Sequence, residues 1–403
     1  MFKQNNLEAK LQNMIAQKEA RMNQEITIRD LYVNQVHSLD TYGEAKQLNP
    51  QDAQTSLLRL TNHIDILANI TNRYHQEYYC EKIESQHGFH DQIKNDCKNK
   101  ITRLLTNEFS LHTVKPLTLN ELSKLLSSIK MIAKSLLPNV HLVLSSLAVV
   151  TNDHRLLNMV VYVECGPQAK LHTFCKANPH YLDVKYENTK LFCTQEDKGY
   201  PNNYIASKHG FIISNDSVFT IKTEGNAQYK QAVDICFDHY QKHSIQLFEN
   251  LKNNALLNNF YIIPKQVNQV ITANSIRTIE QASLLTPFCD AVHIDPLAPT
   301  PNRMENDSID ELELKKLSCI QKQGVQIKSN KDGLIIITPP FAGPYQVVAT
   351  EEKKLCTYAH SLKKSVEKYN DIIKKRIVAS MLNQQHVTKN YENKNVPLRP
   401  AKL

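Results

Sequence analysis

The chain reads as an α/β protein. Three observations carry that expectation. Short apolar, strand-like runs alternate with helical stretches through the middle of the chain. One of those helical stretches, 118–137, carries both start and stop signals. Helix-like sequence also stands at both ends of the chain.

In order, residues 1–25 form an exposed helix on the pattern Leu7, Leu11, Met14. Residues 26–36 fit a strand or a continued helix. Leu57, Leu60, Ile64, Leu67 and Ile70 mark a second helix, and the polar stretch 75–100 reads as an insertion. Ile101–Thr106 is strand-like and ends at Asn107-Glu108. The helix 118–137 opens with a capping box, Thr118 and Glu121. Its apolar positions are Leu122, Leu125, Ile129, Ile132 and Leu136, and Pro138 closes it. Val140–Val150, Met159–Val163 and Lys170–Cys175 read as buried strands, the last ending at Lys176. Residues 185–208 are polar and loop-like. Phe211–Ser214 and Val218–Thr223 suggest a hairpin about Asn215-Asp216. A strand over Val233–Cys236 leads into a helix over Phe237–Leu251. Phe260–Ile263 reads as a strand stopped by Pro264, with further strands at Ala291–Ile294 and Leu334–Thr338. A basic amphipathic helix then runs over Glu351–Leu382, and the tail beyond is polar.

Composition narrows the function classes. The 403 residues are 41% hydrophobic and 22% charged, which is globular and not disordered. The net charge of +8 comes from lysines and arginines spread along the chain, a solvated distribution with no call for nucleic acid. With only 9 glycines there is no dinucleotide-binding, P-loop or serine-hydrolase glycine motif. The 9 cysteines are irregularly spaced and form no CxxC, so neither a disulfide framework nor a zinc ribbon is expected. Reduced thiols suit a soluble, cytoplasmic protein. The polar start is not a signal peptide, and the longest apolar run, Leu142–Val150, is too short to span a bilayer. The lysine- and asparagine-rich composition with appended helices is analogous to that of bacterial effectors exported into host cells without a cleaved signal.

Chemistry concentrates at Ile235-Cys236-Phe237-Asp238. A thiol between a strand end and a helix start feels the positive end of the helix dipole, which favours the nucleophilic thiolate. Upstream, Glu108 and Lys176 each follow a strand-like run. The order strand–Glu108, helix, two strands, strand–Lys176, strand–Cys236, helix resembles the nitrilase superfamily of carbon–nitrogen hydrolases. Thr106-Asn107-Glu108-Phe109 is similar to the strand end that presents the family's glutamate. Asn158 to Lys176, passing Gly166, is similar to the segment ending on its lysine, and Ile235-Cys236-Phe237-Asp238 to the segment around its nucleophile. Asn107, Phe237 and Ala232 depart from the usual Pro, Tyr and Gly. These changes leave the three functional side chains in place and bear on pocket shape.

The resemblance implies a four-layer α-β-β-α sandwich with helical N- and C-terminal extensions. The implied divisions are a helical extension over 1–25, an α/β domain over 26–348 with its core at 100–300, and a basic helix with tail over 349–403. It further implies Glu108 as general base, Lys176 with the backbone N–H of Phe237 as oxyanion donors, and Cys236 as nucleophile forming a thioester. Glu187 and Asp238 are second-line candidates: Glu187 to hydrogen-bond the lysine, Asp238 as a helix-start residue. The substrate would be a small amide or nitrile, with no cofactor and no metal. Family members commonly dimerise, which the C-terminal helix suits. The alternative is a binding or effector module of the same fold with little turnover, engaging a partner protein through its terminal helices. Cys289, His293 and Asp295 are metal-capable, but their context, Phe288–Pro296, reads as a strand ending in a turn and so as a buried edge, and His239 with His243 lack the two further ligands a metal site needs.

Overall fold

The computed structural model describes residues 2–35, 53–85, 88–113, 115–180, 183, 186, 188–193, 203–206, 211–214, 216–258, 261–273, 283–286, 291–294, 326–330, 333–337 and 344–394. It is a mixed α/β protein with a large mixed sheet and helices at both ends.

The N-terminal helix α1 covers Phe2–Met22. The ambiguous segment that follows is a strand, β1 (Thr27–Gln35). Helix α2 runs over Ala53–Tyr79. The stretch 75–100 holds the end of that helix and a hairpin, β2 (Cys80–Ser85) with β3 (Gly88–Ile93), paired only with itself. Strand β4 (Lys100–Thr106), the short β5 (Leu117–Thr118) and helix α3 (Leu119–Lys134) come next. Thr118 Oγ1 accepts from the Glu121 backbone N–H while the Glu121 carboxylate accepts from the Thr118 N–H, so the expected capping box is formed. Strands β6 (Val140–Val150), β7 (Arg155–Glu164) and β8 (Lys170–Cys175) follow.

In the polar stretch 185–208, β9 (Lys190–Leu191) pairs with β7, and β10 (Asn203–Ala206) pairs with β11 (Phe211–Ser214). The rest of the chain gives β12 (Val218–Lys222), β13 (Gln228–Ile235), α4 (Phe237–Tyr240), α5 (His243–Asn258), β14 (Gln266–Thr272) and β15 (Ala291–Ile294). After these come β16 (Gln326–Asn330), β17 (Gly333–Ile337), β18 (Pro344–Ala349), β19 (Lys353–Lys354) and α6 (His360–Lys394).

The large sheet runs β10-β11-β8-β7-β6-β4-β1-β18-β17-β16, and the second sheet runs β12-β13-β14-β15. The long apolar runs of β6 and β7 are explained by burial on both faces. Along β6, Leu142, Leu144 and Leu147 pack with Leu60, Ile64 and Leu67 of α2 and Leu122, Leu125 and Ile129 of α3. On the other face Val143 of β6, Val160 and Tyr162 of β7 and Phe174 of β8 share a cluster with Tyr229, Val233 and Ile235 of β13 and Val270 of β14. A third cluster joins Val218 and Ala232 of the second sheet to Phe248 of α5 and to Val366, Tyr369 and Ile373 of α6. One ion pair lies within the sheet-to-sheet contact. Arg103 (β4), wholly buried, binds both Asp30 oxygens at 2.7 and 2.9 Å and reaches Gln231 of β13 at 2.8 Å and Asn268 of β14 at 2.6 Å.

Four sequence expectations change. The hairpin about Asn215-Asp216 does not form. β11 pairs with β10 and β8 in the large sheet, whereas β12 pairs with β13 in the small one, so the chain changes sheets there. No strand precedes Pro264 at 261–263; the strand starts at Gln266, beyond the proline that lacks a ladder donor. The helix expected from Phe237 is two helices, broken at Lys242, whose φ is 58°. The C-terminal helix begins at His360, because residues 353–354 pair with β1.

Candidate active site

Parallel topology gathers the site. β4 lies parallel to β6, and two antiparallel steps through β7 make β8 parallel to both. Glu108, just past β4, and Lys176, just past β8, therefore emerge at the same edge of the large sheet. Asn158, near the start of the antiparallel β7, emerges there too. Its carbonyl accepts the Lys176 N–H at 2.8 Å, and its side-chain amide donates to Glu108 Oε1 at 2.8 Å. Cys236 follows β13 of the second sheet and comes to the same place, close enough to Glu108 and Lys176 to bear on the ionisation of both.

The three sequence-selected residues are thus together. Lys176 Nζ donates to Glu108 Oε1 at 3.0 Å and to Asp183 Oδ1 at 2.7 Å. Glu108 is 1% exposed and Lys176 2%. Burial raises the Glu108 pKa, and the Lys176 ammonium and the Cys236 thiol pull it back only in part, leaving it pushed up to about 7. For Lys176, burial opposes the charge, but Glu108, Asp183 and Cys236 outweigh it and hold the ammonium above its ordinary range. Oε2 of Glu108 is buried and accepts no hydrogen bond from a nitrogen or hydroxyl among the described residues.

Cys236 sits on a sharp turn between β13 and α4. Its φ of 47° is a left-handed value that a side chain with a Cβ adopts at a cost of about 1–3 kcal/mol. Two backbone bonds hold the turn: Cys236 N–H donates to Thr272 O at 2.7 Å, and His239 N–H donates to Cys236 O at 3.0 Å. The thiol is half-buried, in contrast to Cys165 and Cys175, which are enclosed. Burial raises both of those thiols, Cys175 to about 12. Cys80 is likewise pushed up to about 11, by burial first and then by Asp91.

Asp238 ties the Cys236 turn to the lysine. One oxygen accepts the Ala177 N–H at 3.0 Å, and the other accepts the Asn178 N–H at 2.7 Å and the Asn178 side-chain amide at 2.9 Å. These are the two residues after Lys176, so a carboxylate on one sheet's turn fixes the loop that carries the ammonium of the other. A second bridge runs below. Ser145 of β6 accepts from Thr106 and Ser110 around the Glu108 turn, and its hydroxyl donates to Thr272 Oγ1 at 2.8 Å. Phe237 opens α4; among the described residues its N–H makes no hydrogen bond. Aromatic rings border the turns: Phe109 meets His112 at 5.0 Å between centroids, and Phe237 meets His180 at 5.1 Å.

Sequence reasoning missed Asp183 as the second acid on the lysine. Glu187, the residue singled out for that place, lies outside the described residues, as do Cys289 and Asp295. Asp183 sits seven positions after Lys176, and its other oxygen accepts the His180 N–H at 2.9 Å. Nothing in the local sequence marks Asp183 out for this place. Asn158 was visible as the start of a motif, but its bridging contacts were not. Among the described residues no group of three or more His, Cys, Asp or Glu side chains is arranged to hold a metal, and no helix is long and apolar enough to cross a membrane. A cleft of about 400 Å³ between α1 and α6 is lined by Ile15, Glu19, Lys374 and Val378, and none of Glu108, Lys176 or Cys236 borders it.

No protein-family model matches the chain, and no curated protein matches it either. Solved structures that it resembles include N-terminal amidase with an Asn-Glu peptide, at 8% identity and a TM-score of 0.29 over 64% of this chain and 50% of that one. N-terminal amidase with a Gln-Gly peptide aligns at 9% identity and a TM-score of 0.30, over 64% and 50%. A further N-terminal amidase structure aligns at 8% identity and 0.27, over 65% and 52%. The chain thus matches about half the length of those proteins.

Proposed function

We propose that this chain is a thiol-dependent hydrolase of a non-peptide amide C–N bond, acting through Cys236, Glu108 and Lys176. The observation that carries the reading is the convergence of a half-buried thiol on a strained turn with a buried carboxyl of raised pKa and a buried ammonium held by two acids. Buried charges are rarely assembled for stability alone, since desolvation offsets most of their attraction.

In the proposed reaction Glu108 takes the thiol proton as Cys236 Sγ attacks the amide carbon. The oxyanion that forms on the former carbonyl oxygen is met by the Lys176 ammonium and the Phe237 N–H. Glu108 gives its proton to the departing amine as the C–N bond breaks, leaving a thioester. Water then loses a proton to Glu108, attacks the thioester carbon and releases the acid, and the thiol recovers its proton. Asp183 keeps Lys176 charged and aimed, and Asp238 holds its loop against the nucleophile turn. The layers support the finer architecture as well: helices α2 and α3, the two sheets face to face, then α5 and α6, read as an α-β-β-α sandwich in which the two sheets each supply part of the site.

The test combines turnover with labelling. The purified chain is assayed for ammonia release from a panel of primary amides, and iodoacetamide labelling is read at each cysteine by mass spectrometry. The expected result is turnover that disappears in Cys236→Ala and falls on the order of a hundredfold or more in Lys176→Met, with Cys236 labelling far ahead of Cys165 and Cys175. Cys236 labelling no faster than those two enclosed thiols would sink the reading and favour a binding module.

A further inference from the structure

Behind the nucleophile turn lies a buried acid–imidazole pair that the proposed reaction does not use. Asp234, two residues before Cys236, and His239, three after it, meet beneath the turn, with His239 Nδ1 3.3 Å from Asp234 Oδ2. Their exposures are 0% and 1%. Gln269 of β14 donates to Asp234 Oδ2 at 2.8 Å, and Ser244 of α5 donates to Oδ1 at 2.5 Å. Gln269 is itself anchored, since its Oε1 accepts the Leu285 N–H at 2.9 Å. Three elements therefore converge on one carboxylate carried by a fourth. Burial alone would raise the Asp234 pKa, but His239, Ser244 and His243 hold it below the usual carboxylate range.

Packing does not call for a charge here. Successive side chains of β13 alternate between two apolar layers, and Ala232, on the same face as Asp234, sits among Phe248 and Val218. The backbone gives the reason for a charge. Cys236 holds a left-handed φ of 47° without the freedom of a glycine. Such a conformation persists only where the surroundings over-determine it. The Asp234–His239 contact closes the chain on itself across the turn, and His239 also donates its backbone N–H to the Cys236 carbonyl. One residue thus grips the nucleophile's carbonyl with its main chain and the preceding strand with its ring.

We infer that Asp234 and His239 are positioning residues that hold the Cys236 thiol within reach of Glu108, an inference that rests on the reading of Cys236 as the nucleophile. The titratable groups facing the pair are His243 from α5 and His293 from β15, the latter lowered by burial and then by His239. Asp238, on the same short helix, turns instead toward Ala177 and Asn178.

The experiment measures the iodoacetamide rate at Cys236 from about pH 6 to about pH 9, spanning the raised Glu108 value of about 7 and the ordinary thiol range. The proteins are the wild type, Asp234→Asn, His239→Gln, their double variant, Ser244→Ala, and Phe248→Leu as a packing control in the same layer. Each member of the pair, when replaced, is expected to slow Cys236 near neutral pH by about tenfold or more, the scale on which a small misplacement is felt. The pH profile should move toward that of an ordinary thiol. The double variant should be no worse than either single one, because the two act as a unit. Ser244→Ala, which removes one donor and leaves the Asp234–His239 contact, should move the profile the same way by less, and it carries the test together with His239→Gln if Asp234→Asn fails to fold. The inference is overturned if the variants label like the wild type, if their effects simply add, or if Phe248→Leu at an equal loss of melting temperature moves the profile as far. In those cases a wild-type Cys236 that outpaces Cys175 leaves the nucleophile reading standing. A wild-type Cys236 as slow as Cys175 removes both.

Discussion

Glu108 shows how burial moves the ionisation of a carboxyl group. A carboxyl near its ordinary pKa of about 4.3 is a weak base at neutral pH. Enclosed beside Lys176, Glu108 is pushed up to about 7. The sign of the consequence follows directly. The base form is present above that value and is lost as pH falls through it. Alkylation of Cys236 is therefore expected to rise as pH climbs through about 7. In Glu108→Gln that inflection should vanish, leaving a rise only in the ordinary thiol range of about 8.5. Rates measured by mass spectrometry across pH check this, and an unchanged profile in Glu108→Gln would count against the base. Asp238→Asn is a second test at this scale. The amide keeps an acceptor for one of the two backbone N–H groups but loses the charge. Loss of turnover on the order of tenfold with a small change in melting temperature is expected, since the residue positions the Lys176 loop.

Among the elements, local signals worked where a structure closes on itself. The Thr118–Glu121 capping box is one such case: both partners lie within one turn, so the pattern in the sequence is the pattern in space. Thr118→Ala is expected to cost about 1 kcal/mol, read as a lower urea midpoint with an unchanged slope. Local signals failed where the chain leaves one layer for another. The dipeptide Asn215-Asp216 looks like a hairpin turn, yet the strands on either side belong to different sheets. Turn chemistry reports that the chain reverses or bends, not which strand it will pair with next. The segment 261–263 has strand-like residues but no strand, and the helix after Cys236 breaks at Lys242, whose φ is 58°. That break lets α4 end under the Cys236 turn while α5 sets off over the sheet, with Ser244 reaching back to Asp234.

At the level of the whole molecule, the two sheets are joined by a mostly apolar interface that encloses the Arg103–Asp30 ion pair. Arg103 and Asp30 sit on neighbouring strands of the large sheet, and the guanidinium extends across the interface to Gln231 and Asn268. Arg103→Met should destabilise the fold by about 3–5 kcal/mol, because Asp30 is left as an uncompensated buried charge. Adding Asp30→Leu should restore part of that loss. Urea denaturation of the single and double variants measures both, and an Arg103→Met protein as stable as the wild type would contradict the account.

The sequence by itself determined the parts that depend on near neighbours: the α/β alternation, the doubly buried runs of β6 and β7, the capped helix α3, and the choice of Glu108, Lys176 and Cys236 as residues at strand ends. Period and capping are properties of a few consecutive residues, so they are legible in one dimension. Only the tertiary structure decided the rest. It brought a thiol from one sheet to a carboxyl and an ammonium from the other. It chose Asp183 as the lysine's second acid, and it set Asp238 and Ser145 as ties between the sheets. Those outcomes depend on strand order and loop path, and the energies that select them are contacts between residues distant along the chain. For the same reason the Asp234–His239 pair, six residues end to end, went unnoticed: its members are close in sequence, but only the sharp turn at Cys236 makes them face each other.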